Sequence, residues 1–278
     1  MPAARKLEGR RAESPPRPAV PRRRRPSLSG PYGFLVPLFL LLIGWAAVKG
    51  GFGLADDVVA SPGQVAGALW ALVETGVLPA FVSVSMGRLV LGALLAAAVG
   101  LPVGLLLGLT RYGALMFEPF LRFLQAVSGI AWLPLAIIWF GFTDRTILVV
   151  IVYTAAIPVI FNTMTGVRTV PPVYAQAVST LGGGRLRTLW NVYLPGALPG
   201  IVVGLRLGIG YGWRALIAGE MLAGKSGLGF LIFDARRFHV IDTIMAGMVV
   251  IGLLYLVVDR MIFGALERLT VRRWGVLR

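Results

Sequence analysis

Long apolar blocks separated by short polar stretches run through almost the whole chain. Six blocks are long enough to cross a membrane, since a helix rises about 1.5 Å per residue and the hydrocarbon layer is about 30 Å thick. They lie near residues 32–48, 79–110, 114–140, 146–167, 193–223 and 243–264. The pattern predicts an all-α integral membrane protein with about six transmembrane helices, the first of them an uncleaved signal-anchor.

The polar stretches divide the chain into domains. Ser61 suits a helix N-cap and Pro62 suits the first helical position, so a short helix outside the bilayer is expected at 62–74. The first residues are rich in Pro, Arg and Ser and predict a disordered cytoplasmic tail. The expected domains are the basic tail at 1–30, the first span at 31–49, an extracytoplasmic segment at 50–78, a core of five spans at 79–270 and a C-terminal end at 271–278.

The distribution of charge predicts the orientation of these spans. Only 14% of the residues are charged, the net charge is +15, and nine basic residues lie within the first 25. Arg168, Arg185 and Arg187 make the loop between the fourth and fifth blocks basic as well. Because Lys and Arg concentrate on the cytoplasmic side, we expect this loop and both termini on the cytoplasmic side of the membrane. Basic residues at span ends favour membrane lipid over nucleic acid as a partner.

Glycines and prolines inside the blocks predict how the spans pack and bend. Gly100, Gly104 and Gly108 repeat every four residues and share one helix face, where a neighbouring backbone can approach closely. Pro134 and Pro158 each remove a backbone hydrogen bond and are expected to bend their helices.

The loop between the fourth and fifth blocks carries the most informative motif. Residues 173–181 predict about two helical turns, which Gly182 and the next two glycines would end, because glycine adopts positive φ angles. A second short helix is expected at 185–193. The motif reads Gln176-Ala177-Val178, three residues, Gly182, nine residues, then Val192-Tyr193-Leu194-Pro195.

This spacing is similar at every interval to the signature loop of bacterial ABC-importer permeases, which reads Glu-Ala-Ala, three residues, Gly, nine residues, Ile-x-Leu-Pro. The chain departs from that pattern at Gln176, which cannot supply the charge of the family glutamate, and at Val178. The resemblance extends over roughly residues 60–270 and is greatest to the nitrate, sulfonate and taurine branch. The further stretches are Ser85-Met86-Gly87-Arg88, Ala131-Trp132-Leu133-Pro134-Leu135, Gly204-Leu205-Arg206, Glu220-Met221 and Ser226-Gly227-Leu228-Gly229.

The resemblance implies a type I ABC importer fold with a coupling helix in the loop at 173–195. It also implies two copies of a separate ATPase that bind ATP and magnesium, a second permease copy as a homodimer partner, and an extracytoplasmic solute-binding protein. The implied cargo is a small anion such as a sulfonate, taurine or nitrate. The residues expected to contact the ATPase are Gln176, Ala177, Val178, Gly182, Arg185, Val192, Leu194 and Pro195.

Charged residues inside the predicted spans are candidates for the translocation pathway. A charge there costs at least about 2.5–3.5 kcal/mol unless it is paired or hydrated. Glu220 lies nearly opposite Arg214 on its helix, so we expect Glu220 to pair across helices. For the arginines two interpretations stay open, namely that one lines the pathway and favours anions, or that they form structural ion pairs. The pathway candidates are Arg206, Trp213, Arg214, Glu220, Trp132 and Pro134.

Several kinds of chemistry are missing from the sequence. The chain contains no Gly-x-x-x-x-Gly-Lys-Ser/Thr phosphate-binding motif, no cysteine and a single histidine. We therefore expect no catalytic residues, no metal site and no cofactor, with ATP hydrolysis left to another chain. The alternative is a secondary transporter or channel, which predicts an inverted repeat or acidic residues in mid-span. A non-transporting membrane scaffold or membrane enzyme is a third interpretation.

Overall fold

The computed structural model describes residues 35–53, 55–56 and 58–270, and this part of the chain consists of eleven α-helices joined by short turns. The predicted tail at 1–30 and the predicted end at 271–278 lie outside the described residues. The helices are α1 (Leu35–Gly51), α2 (Pro62–Glu74), α3 (Val77–Leu109), α4 (Arg111–Ala126), α5 (Leu133–Phe140), α6 (Asp144–Arg168), α7 (Pro172–Thr180), α8 (Arg185–Thr188), α9 (Leu194–Ala223), α10 (Leu228–Arg237) and α11 (Ile241–Thr270).

The chain divides into two units at Ala47. The described residues of the first unit belong to α1. The second unit begins at Val48, near the end of α1, and contains all the other helices. At 17 residues α1 reaches the lower limit for a helix that crosses a bilayer. The three sites described below all lie in the second unit.

Four helical runs in the described part are long and apolar enough to cross a membrane. They are Val77–Leu109, Asp144–Arg168, Arg185–Ala223 and Ile241–Met261. A fifth span is possible if the bent pair Tyr112–Ala126 and Gly129–Phe140 crosses as one. The predicted all-α membrane fold is confirmed, and the expected total of about six requires both this pair and α1.

The third predicted block, 114–140, is not one continuous helix. It breaks after α4 and resumes through a 3-10 turn at Gly129–Trp132 into α5, with a bend of 78° between the two parts. Pro134 lies in the first turn of α5, a position where a proline is tolerated, and the carbonyl of Ile130 accepts from the N–H of Leu133 instead. The bend expected at Pro134 therefore lies earlier in the chain, at Val127 and Ser128, where α4 ends.

The prediction of a separate short helix at 185–193 is wrong. α8 continues through a π-helical turn at Leu189–Tyr193 directly into α9, giving one run of 39 residues. Pro195 provides no N–H for the carbonyl of Asn191. A π-helical turn shifts the hydrogen-bond register by one residue, which allows the helix to pass this proline without ending.

α6 is the centre of the bundle, packed between α3 and α9. A methyl group added at Gly100, Gly104 or Gly108 of α3 would lie within 2.8 Å of a side chain on α6, so the predicted close approach is confirmed. A second series, Gly204 and Gly208 of α9, lies as tightly against the other side of α6. Glycine on both neighbours lets three helices pack with their backbones close together.

Two shorter helices border this core. α2 begins at Pro62 as expected: the backbone N–H of Gln64 donates to the Ser61 hydroxyl at 3.3 Å, and the Ser61 N–H donates to the Gln64 side chain at 2.7 Å. This reciprocal pair is a capping box. α10 was not predicted, and it packs against both α9 and α11.

Candidate functional site

The segment between α6 and α9 is a helix followed by a tight glycine turn. The N–H of Gly182 donates to the carbonyl of Ser179 at 3.1 Å, and the N–H of Gly183 donates to the carbonyl of Val178 at 2.9 Å. With Gly182 at a φ of 77°, this is a Schellman motif, which ends α7 without leaving its last carbonyls unpaired. The predicted helix and its glycine stop are confirmed.

This segment, residues 172–195, is exposed and carries an unusual amount of apolar surface. The Leu181 side chain is 85% exposed. The other exposed large apolar side chains of the segment are Val173, Tyr174, Leu186 and Trp190. Exposed apolar groups clustered on one short segment are typical of a protein–protein contact.

The eight residues predicted to contact an ATPase divide into two groups by exposure. Gln176, Ala177, Gly182 and Arg185 are exposed, and Val178, Val192, Leu194 and Pro195 are half-buried. The exposed group lies on α7, its glycine turn and the first residue of α8, where a partner can reach it. Leu194 of the half-buried group packs against the core formed by Val167, Ala197 and Ile201.

A buried cluster of charges lies at the opposite end of the bundle, where α6 begins and α9 ends. The Glu220 side chain is fully buried and accepts hydrogen bonds from Ser85 at 2.8 Å, from Arg88 at 2.8 Å and from the backbone N–H of Gly229 at 3.0 Å. The second Arg88 nitrogen donates to Asp144 at 2.6 Å. We call Ser85, Arg88, Asp144, Glu220 and residues 226–229 the Glu220 cluster.

The glycine-rich segment 226–229 completes the Glu220 cluster with backbone groups. The carbonyl of Ser226 accepts from Arg88 at 2.7 Å, and the N–H of Leu228 donates to the Ser85 hydroxyl at 2.9 Å. Gly227 has a φ of 104°, and a side chain there would collide with the Glu220 carboxylate. The cluster thus joins α3, α6, α9 and α10 through a carboxylate whose oxygens are fully hydrogen-bonded.

The sequence predicted part of this cluster. Glu220 pairs across helices as expected, and three of the short stretches that carry the family resemblance meet here. Asp144 was missed, although an acidic residue in the first turn of a helix is a recognisable signal. The pairing of Asp144 with Arg88 depends on the packing of α3 against α6, and local sequence patterns do not predict that packing.

A cavity of about 440 Å³ opens where α4 bends into α5. α6 and α9 form its other walls, with Tyr153, Thr154, Tyr211 and Arg214 among the lining residues. Thr154 is near the middle of α6, so the cavity lies far from both ends of the bundle. We call this space the central cavity.

Among the six pathway candidates, Arg214 alone lines the central cavity in the described part of the chain. Arg206 instead makes two hydrogen bonds to Asp259 of α11, at 3.0 and 2.7 Å. Trp213 is buried against Tyr255, and Trp132 packs on Tyr153 with ring centres 5.6 Å apart. Pro134 lies in the first turn of α5 and Glu220 lies in the Glu220 cluster.

The described residues contain no group of three or more His, Cys, Asp or Glu side chains placed to hold a metal ion. The sites therefore offer exposed apolar surface, buried ion pairs and a cavity with one guanidinium. Such features bind partners, hold helices together and attract anions.

Comparisons with known proteins give a consistent result. A family model described as "Binding-protein-dependent transport system inner membrane component" matches residues 100–274. The taurine transport system permease protein TauC of Escherichia coli (strain K12) is 36% identical over 186 residues, covering 67% of this chain and 68% of that protein. The putative aliphatic sulfonates transport permease protein SsuC of Bacillus subtilis (strain 168) is 33% identical over 219 residues, covering 78% and 79%. The nitrate import permease protein NrtB of Synechocystis sp. is 34% identical over 187 residues, covering 67% and 68%.

Proposed function

We propose, from the premise that this chain belongs to the family of binding-protein-dependent transport system inner membrane components, that it carries a small anion across the membrane. It is the permease subunit of an ABC importer. In the proposed complex two copies enclose the pathway, two ATPase chains hydrolyse ATP, and an external binding protein delivers the cargo.

The exposed segment 172–195 supports the ATPase part of this proposal. Its helix α7 is held by a Schellman motif and presents exposed apolar side chains that a partner surface could cover. Arg185 and Arg187 are exposed beside them and suit acidic residues of the partner. The segment is short and ordered, so a movement of the ATPase would be passed to α6 and α9, the two helices that it joins.

The proposed cargo class comes from the relatives and from the central cavity. The names of the three relatives refer to taurine, aliphatic sulfonates and nitrate, and each of these carries a negatively charged oxygen-bearing group. Arg214 supplies a positive charge at the wall of the central cavity. A small oxyanion is the cargo that fits both observations.

The proposed orientation places segment 172–195 in the cytoplasm of a bacterial inner membrane, with both termini on the same side. Arg168, Arg185 and Arg187 support this orientation, because basic loops stay on the cytoplasmic side. The chain has no cysteine, so Ser179→Cys introduces a single labelling position on this segment. Labelling from outside intact cells by a membrane-impermeant reagent would contradict the orientation, whereas labelling only in inverted vesicles is expected.

The function is tested first by copurification with the ATPase. It is then tested by ATP-dependent uptake of taurine, nitrate and methanesulfonate into liposomes, in an assay that includes the binding protein. The Leu181→Asp variant puts a charge on the most exposed apolar side chain of the segment and should abolish copurification. Phe238→Asp is the matched control, because Phe238 is also highly exposed but follows α10 at the other end of the bundle. Wild-type copurification of Leu181→Asp would contradict docking at this segment.

A further inference from the structure

The bend between α4 and α5 leaves backbone outside any helix within a span. Val127 and Ser128 have extended conformations, and Gly129 begins the 3-10 turn. Peptide groups that do not form helical hydrogen bonds are tolerated at membrane depth only where protein buries them or where they line a water-filled space. Ser128 and Gly129 line the central cavity, so the cavity accounts for the position of this bend.

Arg214 is the second feature that requires an explanation. It is the one residue with a formal charge among the described residues that line the central cavity. Within the described part of the chain, no carboxylate lies within 4 Å of its guanidinium, which is stacked 5.6 Å from the centre of the Tyr211 ring. Arginine keeps its charge in proteins, and a charge within a span needs water or a counter-ion.

The walls around Arg214 are held in place by specific contacts. The Tyr153 hydroxyl donates to the carbonyl of Leu124 at 2.8 Å, which fixes the end of α4 against α6. Gly129 lies so close to Thr154 that an added methyl group would overlap the Thr154 hydroxyl and lie 3.0 Å from its Cβ. The cavity is therefore a defined space between three helical elements.

We propose that the central cavity is a binding site for a small oxyanion in transit, and that Arg214 is the residue that selects negative charge there. The inference rests on the proposed function and adds a location, a ligand class and a selecting residue to it. A volume of about 440 Å³ falls within the usual range of small-molecule pockets, about 300–1,000 Å³. The planar guanidinium can bind two oxygens of a sulfonate, nitrate or carboxylate at once.

The contrast with two other arginines within spans, Arg88 and Arg206, supports this assignment. Arg88 bonds to Glu220 and Asp144, and Arg206 bonds to Asp259, so each has a carboxylate of the same chain as its counter-ion. Arg214 faces a cavity without an acidic lining residue in the described part of the chain. A carboxylate beside Arg214 would cancel the attraction for an incoming anion.

The test uses a single cysteine placed in the cavity of this cysteine-free chain. Ser128→Cys is purified as the full chain with its ATPase in nanodiscs, and its rates of modification by two methanethiosulfonate reagents are compared, one bearing a sulfonate and one a trimethylammonium group. Each rate is divided by that of a free thiol in solution. We expect faster reaction with the anionic reagent, and a drop of about tenfold in the anionic-to-cationic ratio when Arg214→Gln is added. Arg214→Lys should keep most of the preference.

A cysteine outside the cavity is the control for this test. Ser179→Cys on α7 should show the same anionic-to-cationic ratio with and without Arg214→Gln. Gln125→Cys, which also lines the cavity, replaces Ser128→Cys if that variant does not fold. Taurine or nitrate should slow modification in a concentration-dependent manner with Arg214 present and should not slow it in Arg214→Gln. An unreactive cavity cysteine, an unchanged ratio, or no protection by either anion overturns the proposal.

Failure of this site and failure of the importer function give different results. Modification needs neither ATP nor the binding protein, whereas uptake needs both. An Arg214-dependent preference without ATP-driven uptake would reject the importer proposal and keep the anion site. ATP-driven uptake that Arg214→Gln leaves unchanged, with no charge preference at the cavity cysteine, would keep the importer and reject the site.

Discussion

The Glu220 cluster and the central cavity each contain an arginine among membrane-spanning helices, but the two arginines differ in their exposure and in the partners of their charge. In the Glu220 cluster, Arg88 is nearly buried and bonds to two carboxylates and a backbone carbonyl. In the central cavity, Arg214 is exposed to an open space, and among the described residues its guanidinium has the Tyr211 ring but no carboxylate beside it. One arginine is used to hold helices together, and the other is available to a molecule from outside.

This difference shows that a charge in a span does not by itself identify a pathway. Desolvation makes a buried ion pair costly unless its charges are well hydrogen-bonded, and the Glu220 carboxylate accepts from Ser85, Arg88 and Gly229. Such a cluster is unsuited to bind and release cargo, because every bond to the cargo would replace an existing one. In the described part of the chain Arg214 has no carboxylate partner, so an anion can bind it in the central cavity without displacing an ion pair of the fold.

The largest effect is expected from Glu220→Gln. Removing one partner of a buried ion pair leaves the other charge uncompensated, which typically costs about 3–5 kcal/mol. Arg88 would keep Asp144, but that carboxylate is largely exposed and only partly compensates. We expect a much lower melting temperature in detergent, measured by differential scanning fluorimetry.

The matched control for this substitution is Glu118→Gln. Glu118 also contacts two arginines, Arg122 and Arg168, but these pairs lie near the surface. Exposed ion pairs contribute at most about 1 kcal/mol, so this variant should melt close to the wild type. Equal melting temperatures for the two variants would mean that the Glu220 cluster does not stabilise the bundle.

The second prediction concerns Gly229→Ala, which tests whether the Glu220 cluster is closely packed. A methyl group at Gly229 would lie 2.8 Å from the Glu220 Cβ and would overlap the backbone carbonyl of Ile217. Overpacking of this kind costs about 1–3 kcal/mol, and the backbone cannot move aside easily. Gly87→Ala on α3 is the control, because no atom would lie within 4 Å of its methyl group. In thermal unfolding we expect Gly229→Ala to lower the melting temperature and Gly87→Ala not to lower it.

The features that could be predicted from the sequence are those that depend on local or periodic signals. The apolar blocks indicate the spans, Gly182 ends α7, and Ser61 starts α2, because each signal lies within a few residues of its effect. The glycine series on α3 indicates its close packing, because small residues every four positions form a continuous face. The family resemblance came from the spacing of residues 176–195, which is also local.

The features that could not be predicted depend on contacts between distant parts of the chain. The sequence contains several arginines within spans, and no pattern shows that Arg88 pairs with Glu220 while Arg206 pairs with Asp259. The central cavity depends on a 78° bend at Val127 and Ser128, and the sequence has no proline at these two positions. The continuous run through Pro195 was missed because a π-helical turn has no clear sequence signal.

The third prediction tests the central cavity through its narrowest contact. Gly129→Ala should displace the bend, because its methyl group meets the Thr154 side chain. The stability loss should be near the lower end of about 1–3 kcal/mol, since a side chain yields more easily than backbone. We expect uptake to fall several-fold while ATPase copurification is unchanged.

A double variant separates this steric effect from a general loss of stability. Thr154→Ala removes the hydroxyl that the new methyl group would overlap, so Gly129→Ala/Thr154→Ala should recover part of the uptake. Neighbouring residues that share a contact give non-additive effects of this kind. Strictly additive losses in uptake would show that the closeness of the bend to α6 is not required.

The smallest effect is expected from Arg206→Gln, which lies on the same helix as Arg214. Arg206 is bonded to Asp259 and does not line the central cavity, so we expect its loss to leave uptake almost unchanged. The anionic-to-cationic ratio at Ser128→Cys should stay at its Arg214 wild-type value. The opposite result would be that Arg206→Gln removes the anion preference and Arg214→Gln does not. An arginine with a carboxylate partner would then select the cargo, and the absence of such a partner could not be used to identify the selecting arginine.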